Sequence, residues 1–581
     1  MEHQILQRGH WVYTRSDWNQ KGFVIVVMPT QVKNYSICPL VEARSTSRRF
    51  TCADVRTIYG FPSVPTTPVV VGVISVGGGL TGTIDPTTGV LTGGDVNEYW
   101  TSLGITSLPV VKVIRVNGSA FDLNDSNSTM ENTLDVEMVG ACCPTSNLTI
   151  IFYVCNQWSA PPGQDAFYNV FNYAINTPVN GVKPSIISCS WGAPESLFSA
   201  SDLTKYNTLF AAASAQGITI TCAAGDTGAN NGMSTPTADF PCSSPNVVAC
   251  GGTTLVCPNF VYDSSTVETT WSWNGSTATG GGLSKFFRGP PFPTPTGSLM
   301  RQVPDISLVA NPATGVKFTI QGNTNLVLGG TSIVSPAIAG LMACLPPSPR
   351  SLITRLYALP TASFYDITVG NNGGYSAGVG FDLCTGRGSV NGAVFSPNYS
   401  ALVANPVTGV TVTPSSVTLM AGATQQITGT ASKSSGTVNL TAPNTVTWGS
   451  SNTAVATVTQ AGLITAIGGG SAVITATTVD GFFRGNTTAI VTVPVPPPPP
   501  VSSILISANF RARALIQGNI RRNSRLQLYV FPSVAVTWSS SNPAIAAVSN
   551  GLVTTNRLRG RVTITARVPG GPMASVLIIV T

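Results

Sequence analysis

The sequence predicts an α/β domain with a mostly parallel sheet and helices on both faces, followed by two all-β sandwiches. Three observations predict this. Apolar runs at 68–76, 148–154, 185–190, 218–224 and 246–249 do not alternate with polar residues, which marks strands covered on both faces. Helical patterns such as Asp202 to Gln216 lie between some of them, as expected where helices connect parallel strands. Finally, Val446-Thr-Trp-Gly-Ser-Ser-Asn-Thr-Ala-Val-Ala-Thr-Val458 recurs as Val536-Thr-Trp-Ser-Ser-Ser-Asn-Pro-Ala-Ile-Ala-Ala-Val548, each copy followed by Gly-Leu-Ile/Val-Thr and Ile-Thr-Ala. Two copies of short strands with turn residues between them predict two sandwiches.

A chain of 581 residues is too long for one core. The expected division is an N-terminal segment 1–49 read as a prodomain remnant, a catalytic domain 50–403, a first module 404–493, a proline-rich linker 494–503 containing Pro496–Pro500, and a second module 504–581. Charged residues make up only 9% while Gly and Pro number 58 and 42, a balance that points outside the cell or to a particle or virion surface. No apolar run is long enough to cross a bilayer. The first residues lack the charged and apolar regions of a signal peptide, so an incomplete start or another export route is expected. All 12 cysteines lie between Cys38 and Cys384 without a C-x-x-C pair, which argues against zinc. Cys242 and Cys250 bracket a short loop and are expected to bridge, whereas Cys189 and Cys222 read as small buried thiols.

The chemistry centres on Gly329-Gly330-Thr331-Ser332-Ile333-Val334-Ser335-Pro336, which opens an apolar helix running to Cys344. Pro336 suits a first turn, and the free N–H groups of a helix start favour developing negative charge. Ser332 reads as a nucleophile or as a helix N-cap. A serine nucleophile needs a base, and the only histidines are His3 and His10, outside every catalytic motif. A histidine-based triad is thereby excluded, and a carboxylate must take the proton.

Three acidic candidates stand out. In the helix starting near Asn127, Glu131 and Asp135 are four apart on one face, where like charges repel. That cost suggests a use, although Ser128-x-x-Glu131 is also a capping box and Asp135 also reads as solvated. Asp226, in Gly225-Asp226-Thr227-Gly228, follows a buried strand at its carboxyl end, where sites gather in parallel sheets, but it also suits an Asx turn. Asp366-Ile367 and Gly378-Val-Gly380-Phe-Asp382 supply hard oxygen ligands of the kind that bind calcium.

Together these motifs resemble the sedolisins, serine-carboxyl peptidases of the kumamolisin-like kind. The resemblance runs from about Phe50 to about Pro397. It includes Glu131-x-x-x-Asp135 before Val139-Gly-Ala, Ser185-Ile-Ile-Ser-Cys-Ser-Trp-Gly-Ala-Pro-Glu195, Ala224-Gly-Asp-Thr-Gly228, Gly280-Gly-Gly-Leu-Ser284, Val303-Pro-Asp-Ile-Ser307, Gly330-Thr-Ser332 and Asp366-Ile-Thr through Cys384-Thr-Gly-x-Gly388. It implies a subtilisin-like fold in which Glu131 is the general base for Ser332 and Asp135 supports Glu131. Asp226 would be an oxyanion donor kept protonated by crowding and burial. Asp366, Asp382 and the carbonyls of Ile367, Gly378 and Gly380 would bind one structural calcium ion. An acid-acting endopeptidase working through an acyl-enzyme follows, the alternative being a silent adhesion or structural protein that keeps the fold. The pattern departs in one place: members often carry a glutamate where Ser75 stands, while Trp191 is retained.

The two tail modules resemble bacterial Ig-like group 2 domains. From Ser502 onward the only charged residues are nine arginines, so the rest of the chain carries 7 − 9 = −2. The second module reads either as a face that attracts an anionic surface or glycan or as a plain solvated basic face. Without aromatic residues interleaved, nucleic acid is not an expected partner.

Overall fold

The computed structural model describes residues 49–156, 165–273, 277–289, 298–348, 351–433, 435–440, 446–478, 483–493, 501–508, 515 and 517–581, with the backbone of strands Gln4–Gln7, His10–Tyr13 and Ser36–Ile37. Cys38, the proline run 496–500, Arg511 and Arg513 lie outside the described residues. Two compact units are present, Met1–Val493 and Pro494–Thr581.

Seven parallel strands form the centre of the first unit: β1 (Val69–Ser75), β2 (Val110–Arg115), β3 (Leu148–Val154), β4 (Ile186–Cys189), β5 (Thr219–Ala223), β6 (Val248–Val256) and β7 (Ile306–Val309). Their spatial order is β7-β6-β5-β4-β1-β3-β2, with short strands extending both edges. Five of the apolar runs in the sequence are these strands, because period-two alternation sends apolar side chains to both faces. From β1, Val71 and Val73 enter one core and Ile74 the other. From β3, Ile150 and Phe152 enter the first, Ile151 and Tyr153 the second.

Helices cover both faces. On the first lie α1 (Cys52–Ile58), α2 (Gly94–Ser102) and α3 (Ser126–Cys142), and on the second α4 (Ala166–Asn176) and α5 (Ala200–Ala215); α6 (Val334–Ala343) joins the first face. α6 has no polar face: all its residues are buried, as its uniformly apolar sequence requires. α3 is also buried over most of its length although its sequence is mixed, and Asp125 caps it by accepting from the Ser128 N–H at 3.1 Å. α3 and α6 approach closely at Gly340, where an added Cβ would lie 2.4 Å from Cys142 Cβ and 3.0 Å from the Val139 carbonyl.

The expected bridge between Cys242 and Cys250 is not formed. Among the described residues every cysteine is a buried free thiol. Cys242 donates to the Asp239 carbonyl at 3.1 Å and Cys250 to that of Val248 at 3.6 Å, so each sulfur is turned to its own segment.

Both repeats form sandwiches of one topology. The first has the four-stranded order Ser416–Met420, Arg484–Thr492, Gly470–Thr478, Val446–Ser450, beside Thr424–Gln426, Leu463–Ala466, Ala456–Val458. The second repeats it as Gln517–Ile520, Met573–Val580, Gly560–Arg567, Thr537–Ser540, beside Arg525–Gln527, Leu552–Thr555, Ala546–Ser549. Each has its own core, around Trp448, Ile464 and Ile474 in one and Val553, Ile564 and Ile578 in the other.

A side chain at Gly340 would wedge α3 from α6. Gly340→Val is expected to destabilise the domain by about 1–3 kcal/mol, the usual range for overpacking, seen as a lower Tm; an unchanged Tm would show that the two helices are free to separate.

Candidate active site

α3 and α6 bring together residues far apart in sequence. The strand Asn323–Leu328 ends at Gly329, Gly330 turns the chain at φ 114°, and one 3-10 turn, Thr331–Ile333, leads into α6. Ser332 is therefore at the mouth of α6, but it does not cap it: no side chain caps either helical segment, and Ser332 Oγ is buried without a hydrogen-bond partner. A buried hydroxyl without a partner costs stability, which the N-cap reading would not impose.

Glu131 lies in the second turn of α3, fully buried. The capping-box reading fails because Asp125 is the cap. The Glu131 carboxyl has the Ser332 and Ser190 hydroxyls beside it, both favouring its ionised form. The bond to Ser332 is not closed, since neither Glu131 oxygen nor Ser332 Oγ has a partner of good geometry. Such a near-contact is usual for a base and nucleophile without substrate.

Asp135, one turn further along α3, is fully buried as well and not solvated. Its Oδ1 is 2.6 Å from Ser190 Oγ, which in turn is 3.2 Å from the Ser332 carbonyl. Ser190 Oγ thus lies between the Asp135 carboxyl and the Ser332 carbonyl and ties α3 to the backbone of the Ser332 turn. Burial raises the pKa of both acids well above the ordinary range, and Asp135 raises Glu131 further.

Asp226 follows β5 and is 2% exposed. Its Oδ1 accepts from the Thr331 N–H and from Thr331 Oγ1, both at 2.7 Å. Oδ2 faces Gly330, 2.5 Å from where a Cβ would stand, so glycine is required there for space as well as for φ. Asp226 is thus fixed next to Ser332, and its charge acts on Glu131. The four candidate catalytic residues, Ser332, Glu131, Asp135 and Asp226, are brought together.

Asp239 belongs to the same acidic group and was not singled out. It is 4% exposed, its charge interacts with that of Asp226, and burial pushes its pKa up to about 8. Asn231 donates to its Oδ1, and Oδ2 closes on Gly225, 2.7 Å from the Cβ position there. The two-residue strand Asp239–Phe240, paired with Trp191–Pro194, puts it in place.

The second acidic pair converges elsewhere. Asp366 accepts from the Gly380 N–H at 2.8 Å, and Asp382 from the N–H groups of Gly378 at 3.2 Å and of Cys384 and Thr385 at 2.8 Å. Among the described residues no hydrogen bond ends on the carbonyls of Ile367, Gly378 or Gly380. Two carboxylates, three uncommitted carbonyls and no nitrogen or sulfur ligand suit a hard cation.

The buried acids make stability depend on pH. Asp135 and Asp239 hold protons in the folded chain at pH values where an unfolded chain, with carboxyls near about 4, has lost them. The native state therefore binds more protons, and stability falls as pH rises through that window. Tm is expected to drop steadily between pH 5 and 8. A Tm that climbs across that range would mean the acids are ionised and paired instead.

Residues 169–347 match the Subtilase family and residues 406–489 the bacterial Ig-like domain (group 2). Kumamolisin of Bacillus sp. (strain MN-32) is 35% identical over 376 residues, 60% of this chain and 64% of its own length. Sedolisin of Pseudomonas sp. (strain 101) is 30% identical over 385 residues, 61% of this chain and 62% of its own. The chain thus spans under two thirds of these relatives. A solved structure of Pseudomonas sedolisin, a serine-carboxyl proteinase complexed with two molecules of pseudo-iodotyrostatin, superposes with a TM-score of 0.52 at 28% identity, covering 61% of this chain and 99% of that one. The chain therefore has a region that matches the Subtilase family, with kumamolisin and sedolisin as homologues and a subtilisin-like α/β fold, and C-terminal to it a region that matches the group 2 bacterial Ig-like domain.

Proposed function

We propose that the chain is an acid-acting serine-carboxyl endopeptidase working outside the cell. The observation that carries this is a buried, partnerless serine hydroxyl at a helix N-terminus beside a buried glutamate, in a domain without histidine. Ser332 Oγ attacks a peptide carbonyl while its proton passes to Glu131, which is the ionised member of the pair while Asp135 holds the proton. The oxyanion is met by protonated Asp226 and by the partial positive charge at the start of α6. Glu131 then returns the proton to the leaving amine, and a water, deprotonated by Glu131, hydrolyses the acyl-enzyme. Asp135, through Ser190, holds the base helix against the nucleophile turn.

Proton handling by carboxyls sets the sign of the pH dependence. Raising the pH strips the donor protons, so cleavage of an unfolded protein substrate should be highest between about pH 3 and 6 and fade toward neutrality, opposite to a histidine base. Ser332→Ala should abolish cleavage, and Asp226→Ala should lower kcat by about 100- to 1,000-fold, the usual cost of losing an oxyanion donor. Equal cleavage by the parent chain and Ser332→Ala would leave the silent structural reading.

Calcium at Asp366, Asp382 and the carbonyls of Ile367, Gly378 and Gly380 would neutralise the pair and pin this loop; it supplies charge and rigidity, not chemistry. Chelation is expected to lower Tm in the parent chain and to leave Asp382→Ala unaffected. A parent Tm indifferent to chelator would remove the ion.

A further inference from the structure

The arginines of the second module gather at one end of it. Arg521 and Arg522 follow the strand Gln517–Ile520, Arg525 opens the strand Arg525–Gln527, and Arg557, Arg559 and Arg561 surround the start of Gly560–Arg567. Strand register puts all of these at the same end: Ile520 pairs with Val580, Val580 with Gly560, and Arg525 with Thr554. Thr555 Oγ1 donates to the Arg521 carbonyl at 2.7 Å, and the Asn523 N–H to that of Asn556 at 3.4 Å, joining the two loops. All six side chains are exposed. Arg567 lies at the opposite end, paired with Thr537 and Met573.

The first module shows that the fold does not need them. Its Ala421 N–H bonds the Thr492 carbonyl as that of Arg522 bonds Thr581, and Gly422 and Asn523 follow with positive φ. Gly470 faces Val455 as Gly560 faces Ile545. In that correspondence Met420, Ala421 and Thr424 stand where Arg521, Arg522 and Arg525 do, Ser471 stands for Arg561, and Gly468-Gly469 fills the loop of Arg557-Leu558-Arg559. The same strands and turns form without charge, so the arginines answer to something outside the module.

We propose that this end of the module binds a linear anionic polysaccharide carrying carboxylate or sulfate groups. With no Asp, Glu or Lys after Ser502, no acidic side chain within the module neutralises the patch. Exclusive use of arginine, in a chain that elsewhere uses lysine, favours the planar fork that grips an oxyanion through two hydrogen bonds over a bare point charge. Leu558, 56% exposed between Arg557 and Arg559, offers an apolar surface to a sugar ring. Single-stranded nucleic acid would call for stacking aromatics, but Trp538 packs on the core and pairs with Ala566, toward the far end.

The test is binding of the full chain, as Ser332→Ala so that no proteolysis intervenes, to immobilised polygalacturonate, with neutral dextran and duplex DNA as comparisons. Binding that weakens with salt is expected for polygalacturonate, none for dextran, and weaker binding for DNA. Replacing Arg521, Arg522 and Arg525 by the first module's residues (R521M, R522A, R525T) should weaken binding by about 10-fold or more, with Tm kept because those residues already fit the fold. Arg567→Ser should bind as the parent does. The triple Arg→Lys variant should fall between, which separates fork recognition from net charge. Unchanged binding in the neutral triple variant, an equal loss in Arg567→Ser, or tighter binding to DNA would overturn the proposal.

Discussion

Burying several carboxyls beside a serine is the constraint on which the α/β domain depends. An ionised carboxylate taken out of water without a counter-charge costs several kcal/mol, and among the described residues no lysine or arginine is a charge partner of Glu131 or Asp135. The fold meets the cost by retaining protons and by offering hydroxyls. Ser190 bonds Asp135, Thr331 bonds Asp226, and Ser332 lies beside Glu131. Two helices supply the burial. α6 is apolar throughout, and α3 is sunk against it at a glycine contact too close for any side chain. The same packing that removes solvent fixes Glu131 and Ser332 relative to each other.

Much of this was legible in the residues because local rules were broken. Two acids one turn apart on a helix oppose each other, and an aspartate between glycines just past a buried strand stands where sites gather in parallel sheets, although an Asx turn suits it equally. Histidine's absence from the domain then forced the proton onto an acid. The capping readings of Ser332 and Ser128 were not separable from sequence, since a hydroxyl before a helix looks the same whether it bonds the backbone or points into a site. Only the positions of Asp125 and of Ser332 Oγ separate them. Asp239 was illegible for another reason: a two-residue strand has no periodicity, and its place beside Gly225 comes from pairing with Trp191–Pro194 across the fold. The cysteine pair at 242 and 250 failed because closeness in sequence says nothing about which way each sulfur turns.

The tail divides the work differently. Both sandwiches draw their fold from alternating apolar positions, Val446, Trp448, Ile464 and Ile474 in one and Val553, Ile564 and Ile578 in the other. Their loops are free to diverge, and they do so in charge. The fold is read from the strands, and the difference between the modules from the turns that join them.

The most direct test of a carboxylate base is the single-turnover acylation rate of Glu131→Gln with a chromogenic peptide substrate, compared with the parent chain at one acidic pH. Glutamine keeps the shape and burial of the side chain but cannot take the serine proton, so acylation should slow by about 100- to 10,000-fold. Acylation within two-fold of the parent would contradict Glu131 as the base.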